Sequence, residues 1–149
     1  MTLLANKISI GSDHAGFDSK KSIKDYLLTL EIDFFDFGCF SEDSVDYPDY
    51  AHKVSKSIES NDFEFGILIC GSGQGVNMTA NKYKGVRSAL CWSEEIARLS
   101  RQHNNANVLC LPGRFLTSDE LNKITYTFLT TSFEGGRHQK RVEKISQFI

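Results

Sequence analysis

The chain reads as an α/β protein: an open, doubly wound sheet of five parallel strands with helices on both faces, a Rossmann-like or flavodoxin-like three-layer sandwich. Three observations predict it. Short β-rich apolar runs alternate with stretches of helical period, as βαβ units require. Five such runs are too few for a closed eight-stranded barrel. The 149 residues contain no internal repeat, low-complexity tract or linker. They fit one domain over 1–149, large enough to bury about 70% of the surface its unfolded form exposes.

Taken in order, "KISIGSD" predicts the first strand, and Ile23, Leu27 and Leu30 at i, i+4, i+7 mark the first helix stripe. "IDFFDFG" is the second strand, broken at Gly38. Tyr50 or Ala51, Val54 and Ile58 form the next stripe, entered through Pro48, which suits a first helical turn. "FGILIC", "RSALCW" and "NVLCLPG" supply strands three to five, the last stopped by Pro112 and Gly113. Between them "VNMTANKY" reads as a short helix and "SEEIARLSRQ" as a longer one. "TSDE" at Thr117 to Glu120 is a capping box ahead of Leu121, Ile124 and Phe128. "RHQKRVEKISQFI" reads as a last helix. Its apolar stripe of Val142, Ile145 and Ile149 is turned away from a basic one carrying Arg137, Lys140, Arg141 and Lys144.

Composition removes several classes of function. The 17 Lys+Arg against 19 Asp+Glu give a formal net charge of −2. No global field recruits nucleic acid or an anionic membrane, so any anion site is local. Cys39, Cys70, Cys91 and Cys110 are widely spaced, with no C-x-x-C pair and no His at zinc-ligand spacing, which argues against a metal knuckle or redox dithiol. Isolated thiols fit a reducing cytosol. The opening "MTLLANKISIGSD" lacks a long apolar stretch after a basic one, and no apolar run reaches the roughly 18 residues of a membrane span. The expectation is a cytoplasmic protein, intact from its first residue.

Chemistry concentrates where strand three ends. In "FGILICGSGQGVNMTANK", Cys70 closes the strand, and Gly71, Ser72, Gly73 and Gly75 follow. Glycines in this density let backbone N–H groups converge on an anion, aided by the start of the next helix. The alternative is a tight turn that binds nothing. The loop is no Walker A motif, because no Lys-Ser or Lys-Thr follows at the required spacing. Val76 stands where a dinucleotide fingerprint needs its third glycine, and where a C-x5-R phosphatase needs arginine. What remains is a thiol beside an anion-stabilising loop. It is either a thiolate base or nucleophile, or an inert small hydrophobe at the edge of a core.

Other strand ends add polar groups. "SDHAG" after strand one puts Asp13 and His14 at the same edge as Cys70, able to move protons or merely to form a turn. Tyr47 in "VDYPDYA" either closes a pocket or packs in the core. "SRQHNNANVL" places His103 and Asn104 just before strand five, which reads as a polar turn or as part of the reactive edge. Arg114 in "PGR" lies past strand five. Arg137 and Arg141 at i, i+4 are a solvated face, or a phosphate clamp if their helix reaches a pocket.

Together "SDHAG", "DYPDYA", "CGSGQGVNMTANK", "RSALCW", "SRQHNNANVLCLPGR" and "RHQKR" resemble the type B ribose-5-phosphate isomerases, in the family shared with galactose-6-phosphate and allose-6-phosphate isomerases. The likeness runs from strand one into the last helix. It implies interconversion of ribose 5-phosphate and ribulose 5-phosphate through a cis-enediolate, without metal or cofactor, as in the pentose phosphate pathway. By this resemblance Cys70 is the base, Ser72 relays a proton between the oxygens, and Gly71, Gly73, Gly75 and Asn104 stabilise the enediolate. His103 opens the sugar ring with Asp13 at the opposite proton, and Tyr47 lines the pocket. His14, Arg114, Arg137 and Arg141 hold the phosphate. One branch of the family replaces the cysteine by a glutamate just past the glycines; Val76 stands there here, which assigns this chain to the cysteine branch. The resemblance also implies a homodimer, or a tetramer of such dimers, with pockets shared between subunits. Nucleic acid and membrane are not expected partners. A six-carbon sugar phosphate isomerase and a non-catalytic sugar-phosphate-binding module are the competing readings.

Overall fold

The computed structural model describes residues 3 and 7–147. The described strands are β1 (Lys7–Ser12), β2 (Asp33–Asp36), β3 (Phe65–Cys70), β4 (Ser88–Leu90) and β5 (Val108–Pro112). They form one parallel sheet in the order β2-β1-β3-β5-β4. The helices are α1 (Phe17–Thr29), α2 (Tyr47–Glu59), α3 (Gln74–Ala80), α4 (Glu94–Asn104), α5 (Ser118–Thr130) and α6 (Gln139–Ile145). The α/β sandwich expected from the sequence is the observed architecture. Chain order reverses between β1 and β3, a switch point of the kind beside which open sheets bind ligands.

Two cores lie on opposite faces of the sheet. On one, Ile23 and Leu27 of α1, Ala97 of α4, and Leu121, Ile124 and Phe128 of α5 pack on Ile8, Ile10, Ile67, Leu109 and Leu111. On the other, Ala51, Val54 and Ile58 of α2 and Val76 and Ala80 of α3 cover Leu68, Cys70, Val108 and Cys110. β3 is buried along its whole length, which is why "FGILIC" is a continuous apolar run. The stripes predicted for α1, α2 and α5 are the buried faces, with Ala51 taking the position left open with Tyr50 and Leu30, just past the end of α1, only partly buried. The capping box forms as predicted: Thr117 Oγ1 accepts from the Glu120 N–H at 3.3 Å, and Glu120 Oε2 accepts from the Thr117 N–H at 2.8 Å.

Among the boundaries that differ from the sequence reading, two bear on the site. α4 runs on to Asn104, so His103 and Asn104 belong to a helical last turn rather than a polar loop; Asn105, at φ 48°, ends the helix in the left-handed conformation. The last helix is shorter than predicted. Arg137 lies in a 3-10 turn over Gly136–His138, α6 covers Gln139–Ile145, and no α6 residue is buried. Ile145 is 52% exposed, and Ile149 falls outside the described residues. The described part of the predicted apolar stripe, Val142 and Ile145, is therefore not buried within this protomer.

Side chains bond beside both edge strands. Asn81 acts as a surrogate strand for β4: its Nδ2 donates to the Ser88 carbonyl and its Oδ1 accepts from the Ser88 N–H, each at 2.9 Å. Beside β2, Lys20 is fully buried, donating to Asp36 Oδ1 at 2.6 Å and to the Cys39 carbonyl at 2.5 Å. Burial pulls the Lys20 pKa down despite this pairing. Burial pushes Asp36 the other way, but donation from Lys20, Lys24 and the Gly38 N–H outweighs it and leaves Asp36 below the usual carboxylate range.

Removing one partner of a buried pair leaves the other unpaired. Asp36→Asn should lower stability by about 3 kcal/mol in urea unfolding at pH 7. Because the folded pKa of Asp36 is depressed, its contribution is complete above the ordinary carboxylate value of about 3.9 and is lost as pH falls through the folded value. The difference between wild type and Asp36→Asn should therefore shrink in acid; a constant difference would refute the assignment.

Candidate active site

The carboxyl ends of β1, β3 and β5 meet around a cavity of about 400 Å³. Its lining includes eight residues singled out from the sequence: Asp13, His14, Tyr47, Cys70, Gly71, Ser72, Gly75 and Arg114; Ala15 and Phe115 complete it. Backbone pairing continues past the strand ends and fixes these segments against one another. The Asp13 N–H donates to the Ile69 carbonyl at 3.3 Å, the Gly113 N–H to Cys70 O at 2.9 Å, and the Arg114 N–H to Gly71 O at 3.1 Å.

Cys70 is 4% exposed and belongs to the core beneath α2 and α3, yet it also borders the cavity. The Gly73 N–H donates to Cys70 Sγ at 3.2 Å. This amide, expected from the resemblance to face an oxyanion, is engaged with the sulfur. Gly73 can turn back this way because φ is 73°, and a Cβ there would lie 2.4 Å from Leu90 Cδ1. α3 has only seven residues, so it offers N–H groups at its start rather than an extended dipole. Exposed Ser72 accepts a weak bond from the Gln74 N–H at 3.4 Å.

The other wall is built from loops. Asp13 caps the turn after β1, its Oδ1 accepting from the Gly16 N–H at 3.0 Å. His14 Nδ1 accepts from the Val45 N–H at 3.2 Å, so the neutral ring carries its proton on Nε2. Tyr47 begins α2, and its ring lies against Gly75, where a Cβ would come within 2.5 Å of Tyr47 Cζ. The pocket role of Tyr47, rather than core packing, is what this contact supports. The Arg114 side chain runs over Gly71, with Nη1 at 3.3 Å from the position a Gly71 Cβ would take. One edge thus gathers a sulfur, a carboxylate, an imidazole, a hydroxyl and a guanidinium.

The remaining predicted residues stand elsewhere. α4 leads from β4 back to the start of β5, so His103 and Asn104, in its last turn, lie at the amino edge of the parallel sheet, opposite Cys70. Within a single chain, His103 is therefore not part of the reactive edge that carries Cys70, one of the two alternatives left open by the sequence. There His103 stacks on His138, with ring centroids 4.3 Å apart and planes 13° from parallel. Arg137 Nε donates to His138 Nε2 at 3.4 Å. Burial, then His103 and Arg137, hold His138 below the usual imidazole range, so its 3.6 Å approach to Glu134 is not an ion pair at neutral pH. His103, Glu134 and His138 bring ligand atoms within 4.8 Å. Parallel stacked rings aim their in-plane lone pairs side by side rather than at one point, and Arg137 adds positive charge, so the trio does not fit a metal.

Sequence reasoning missed the His138 stack, the Val45 contact to His14, and Phe115, which is 74% exposed at the cavity. "RHQKR" contains His138, but only the fold reveals what its ring meets.

An open α/β sheet with polar groups converging on the strand ends at its switch point defines a class of small-molecule-binding proteins, and the comparisons narrow it. The chain belongs to the ribose/galactose isomerase family, whose sequence model matches residues 8–145. It is similar to a probable ribose-5-phosphate isomerase B of Mycoplasma genitalium, 50% identical over 95% of this chain and 94% of that one. The ribose-5-phosphate isomerase B of Escherichia coli is 40% identical over 94% of each. Among solved structures, a ribose 5-phosphate isomerase from Thermotoga maritima superposes with a TM-score of 0.93 at 53% identity, covering 95% of this chain and 97% of that one. The Mycoplasma genitalium enzyme with bound ribulose-5-phosphate gives 0.91 at 49% identity, over 95% of each chain.

All four cysteines are free and buried, but only Cys70 borders this cavity. Burial pushes the Cys91 thiol up to about 12 and the Cys110 thiol up as well. Iodoacetamide at pH 8 should alkylate Cys70 well before Cys91 and Cys110, as read by peptide mass spectrometry; equal or reversed rates would contradict the placement of the sulfur.

Proposed function

We propose that this protein interconverts ribose 5-phosphate and ribulose 5-phosphate through a cis-enediolate, with Cys70 as the base. The observation that carries the reading is the sulfur held by the Gly73 amide at 3.2 Å, in the cavity that also holds Asp13, His14, Ser72 and Arg114. The names of the relatives at 40% and 50% identity, and the ribulose-5-phosphate in a relative's structure, support the five-carbon substrate over a six-carbon one.

The thiolate removes the proton from C2 of the open-chain aldose. The electron pair left on C2 forms the C1–C2 double bond, and the carbonyl oxygen takes the charge. Ser72 passes a proton between O1 and O2, and Cys70 returns its proton to C1, giving the ketose. Gly71 and Gly75 amides and Asn104 oppose the oxyanion charge, while the Gly73 amide holds the sulfur in place. His14, through Nε2–H, and Arg114 bind the phosphate. Substrate arrives mostly as a ring, which His103 opens with Asp13 at the opposite proton.

His103, Asn104, Arg137 and Arg141 reach the cavity from a second copy of the chain, because their own copy holds the first three at or near the opposite edge. The functional unit in this reading is a homodimer with shared pockets, in the cytoplasm and on the pentose phosphate pathway.

Cys70→Ala should bind ribose 5-phosphate with near-normal affinity and lose about 10²–10⁴-fold in kcat, measured with EDTA present. A small loss would make the base assignment wrong. Cys70→Ala and His103→Asn, each impaired alone, should recover activity when unfolded and refolded together, since mixed dimers contain one intact pocket. No recovery, with mixed dimers verified by mass, would refute shared pockets.

A further inference from the structure

The larger cavity, about 670 Å³, is not the one described above: it opens where β3 and β5 begin, lined by Arg87, Arg101, Asn105, Asn107, Phe63 and the carboxylates Glu59 and Glu64, among others. Two guanidinium groups share it. Arg101 is 5% exposed, with its Cζ 4.7 Å from the Phe65 ring centroid and 5.7 Å from that of Phe128. Its Nε donates to the Thr131 carbonyl at 3.1 Å, and its Nη1 to Asn105 Oδ1 at 3.0 Å and to the Ala106 carbonyl. Arg87 Nε donates to the Asn105 carbonyl at 2.8 Å. Asn105 therefore tethers both arginines, one through its side chain and one through its backbone.

Every acceptor in this arrangement is neutral. Among the described residues neither arginine forms an ion pair, and the Nη2 donors of Arg101 and the Nη donors of Arg87 find no protein acceptor. Glu59 and Glu64 line the cavity without reaching either arginine, and Glu59 Oε1 accepts from the Gly85 N–H at 3.4 Å. Arg101 is buried and Arg87 half-buried, and a charge drawn out of water beside a like charge, with no counter-charge, is costly. Burial, then Arg87, pull Arg101 down to about 10, and burial lowers Arg87.

We propose that the cavity between Arg87 and Arg101 is a second anion site, which takes a phosphomonoester whose remaining groups are neutral hydroxyls. The phosphate accepts from the unused guanidinium donors, and the two carboxylates accept from hydroxyls while rejecting a second negative charge. The site is separate from the Cys70 cavity and does not rest on the isomerase reading. Because Asn105 ends α4, an occupant also braces the turn that carries His103.

The test is ligand-dependent thermal unfolding with glycerol 3-phosphate, using Arg114→Gln to weaken the Cys70 cavity. At a hundredfold excess over Kd, Tm of Arg114→Gln should rise by roughly 5–10 °C, and adding Arg87→Gln should remove that rise. No rise in Arg114→Gln overturns the proposal, as does a full rise in the double variant. If Arg87→Gln does not fold, guanidinium N–H resonances of folded Arg114→Gln decide: saturable shifts at Arg87 and Arg101 support the site, and their absence overturns it.

Discussion

The carboxyl end of β3 is the constraint on which the site depends. β3 pairs with β1 on one side and β5 on the other. Its carbonyls at Ile69 and Cys70, and that of Gly71 just beyond, hold the amides of Asp13, Gly113 and Arg114. Three segments far apart in sequence are thereby locked in register by backbone bonds that no side chain has to supply. A buried parallel strand cannot slip without stranding unpaired polar groups. Cys70, Asp13 and Arg114 inherit that rigidity, and what varies around them is the loops: the turn holding Gly73, the helix start holding Tyr47, and the segment whose Val45 N–H orients His14.

The thiols show how placement rather than composition decides chemistry. Cys70 and Cys110 both face the helices α2 and α3 from neighbouring strands. Cys110 sits within its strand, fully enclosed, with its sulfur 3.0 Å from Ser88 Oγ. Cys70 ends its strand, so the chain turns over it and an amide comes back to the sulfur. A residue on the interior of β3 could not meet that amide, because it would already be flanked by the ladder.

This much was legible from residue order. The alternation of apolar runs and helical stripes, the glycines after Cys70 and the capping box at Thr117 each state a local preference that the fold keeps. Lys20 was not legible: a lysine on the face of Ile23 and Leu27 reads as an error in the stripe until Asp36, at the end of a different strand, supplies its counter-charge. The edge of His103 was misjudged for a different reason. The motif "SRQHNNANV" does place His103 just before strand five, and a residue that precedes a strand of a parallel sheet stands at its amino edge, opposite the strand end that carries Cys70. Arg137 and Arg141 do lie one helical turn apart by count, yet a 3-10 turn separates them from the regular spacing assumed.

The position of His103 then carries an argument of its own. A strand of the length of β3 spans roughly 20 Å at about 3.3 Å per residue, so the two edges of this sheet are separated by several times the reach of a hydrogen bond. No side-chain rotation closes that gap, and moving α4 would unpack Ala97 and the buried Arg101. One chain therefore cannot bring His103 to its own Cys70. Either His103 acts on the Cys70 cavity of another copy, or it has no part in the chemistry there. The unburied apolar side of α6, with Ile145 half exposed beside the amino-edge histidines, is the surface expected where a second copy seats, and it lies on the part of the chain that would deliver Arg137 and Arg141. In the reading proposed above, the fold separates base from ring-opening acid, and that chemistry requires two chains to meet.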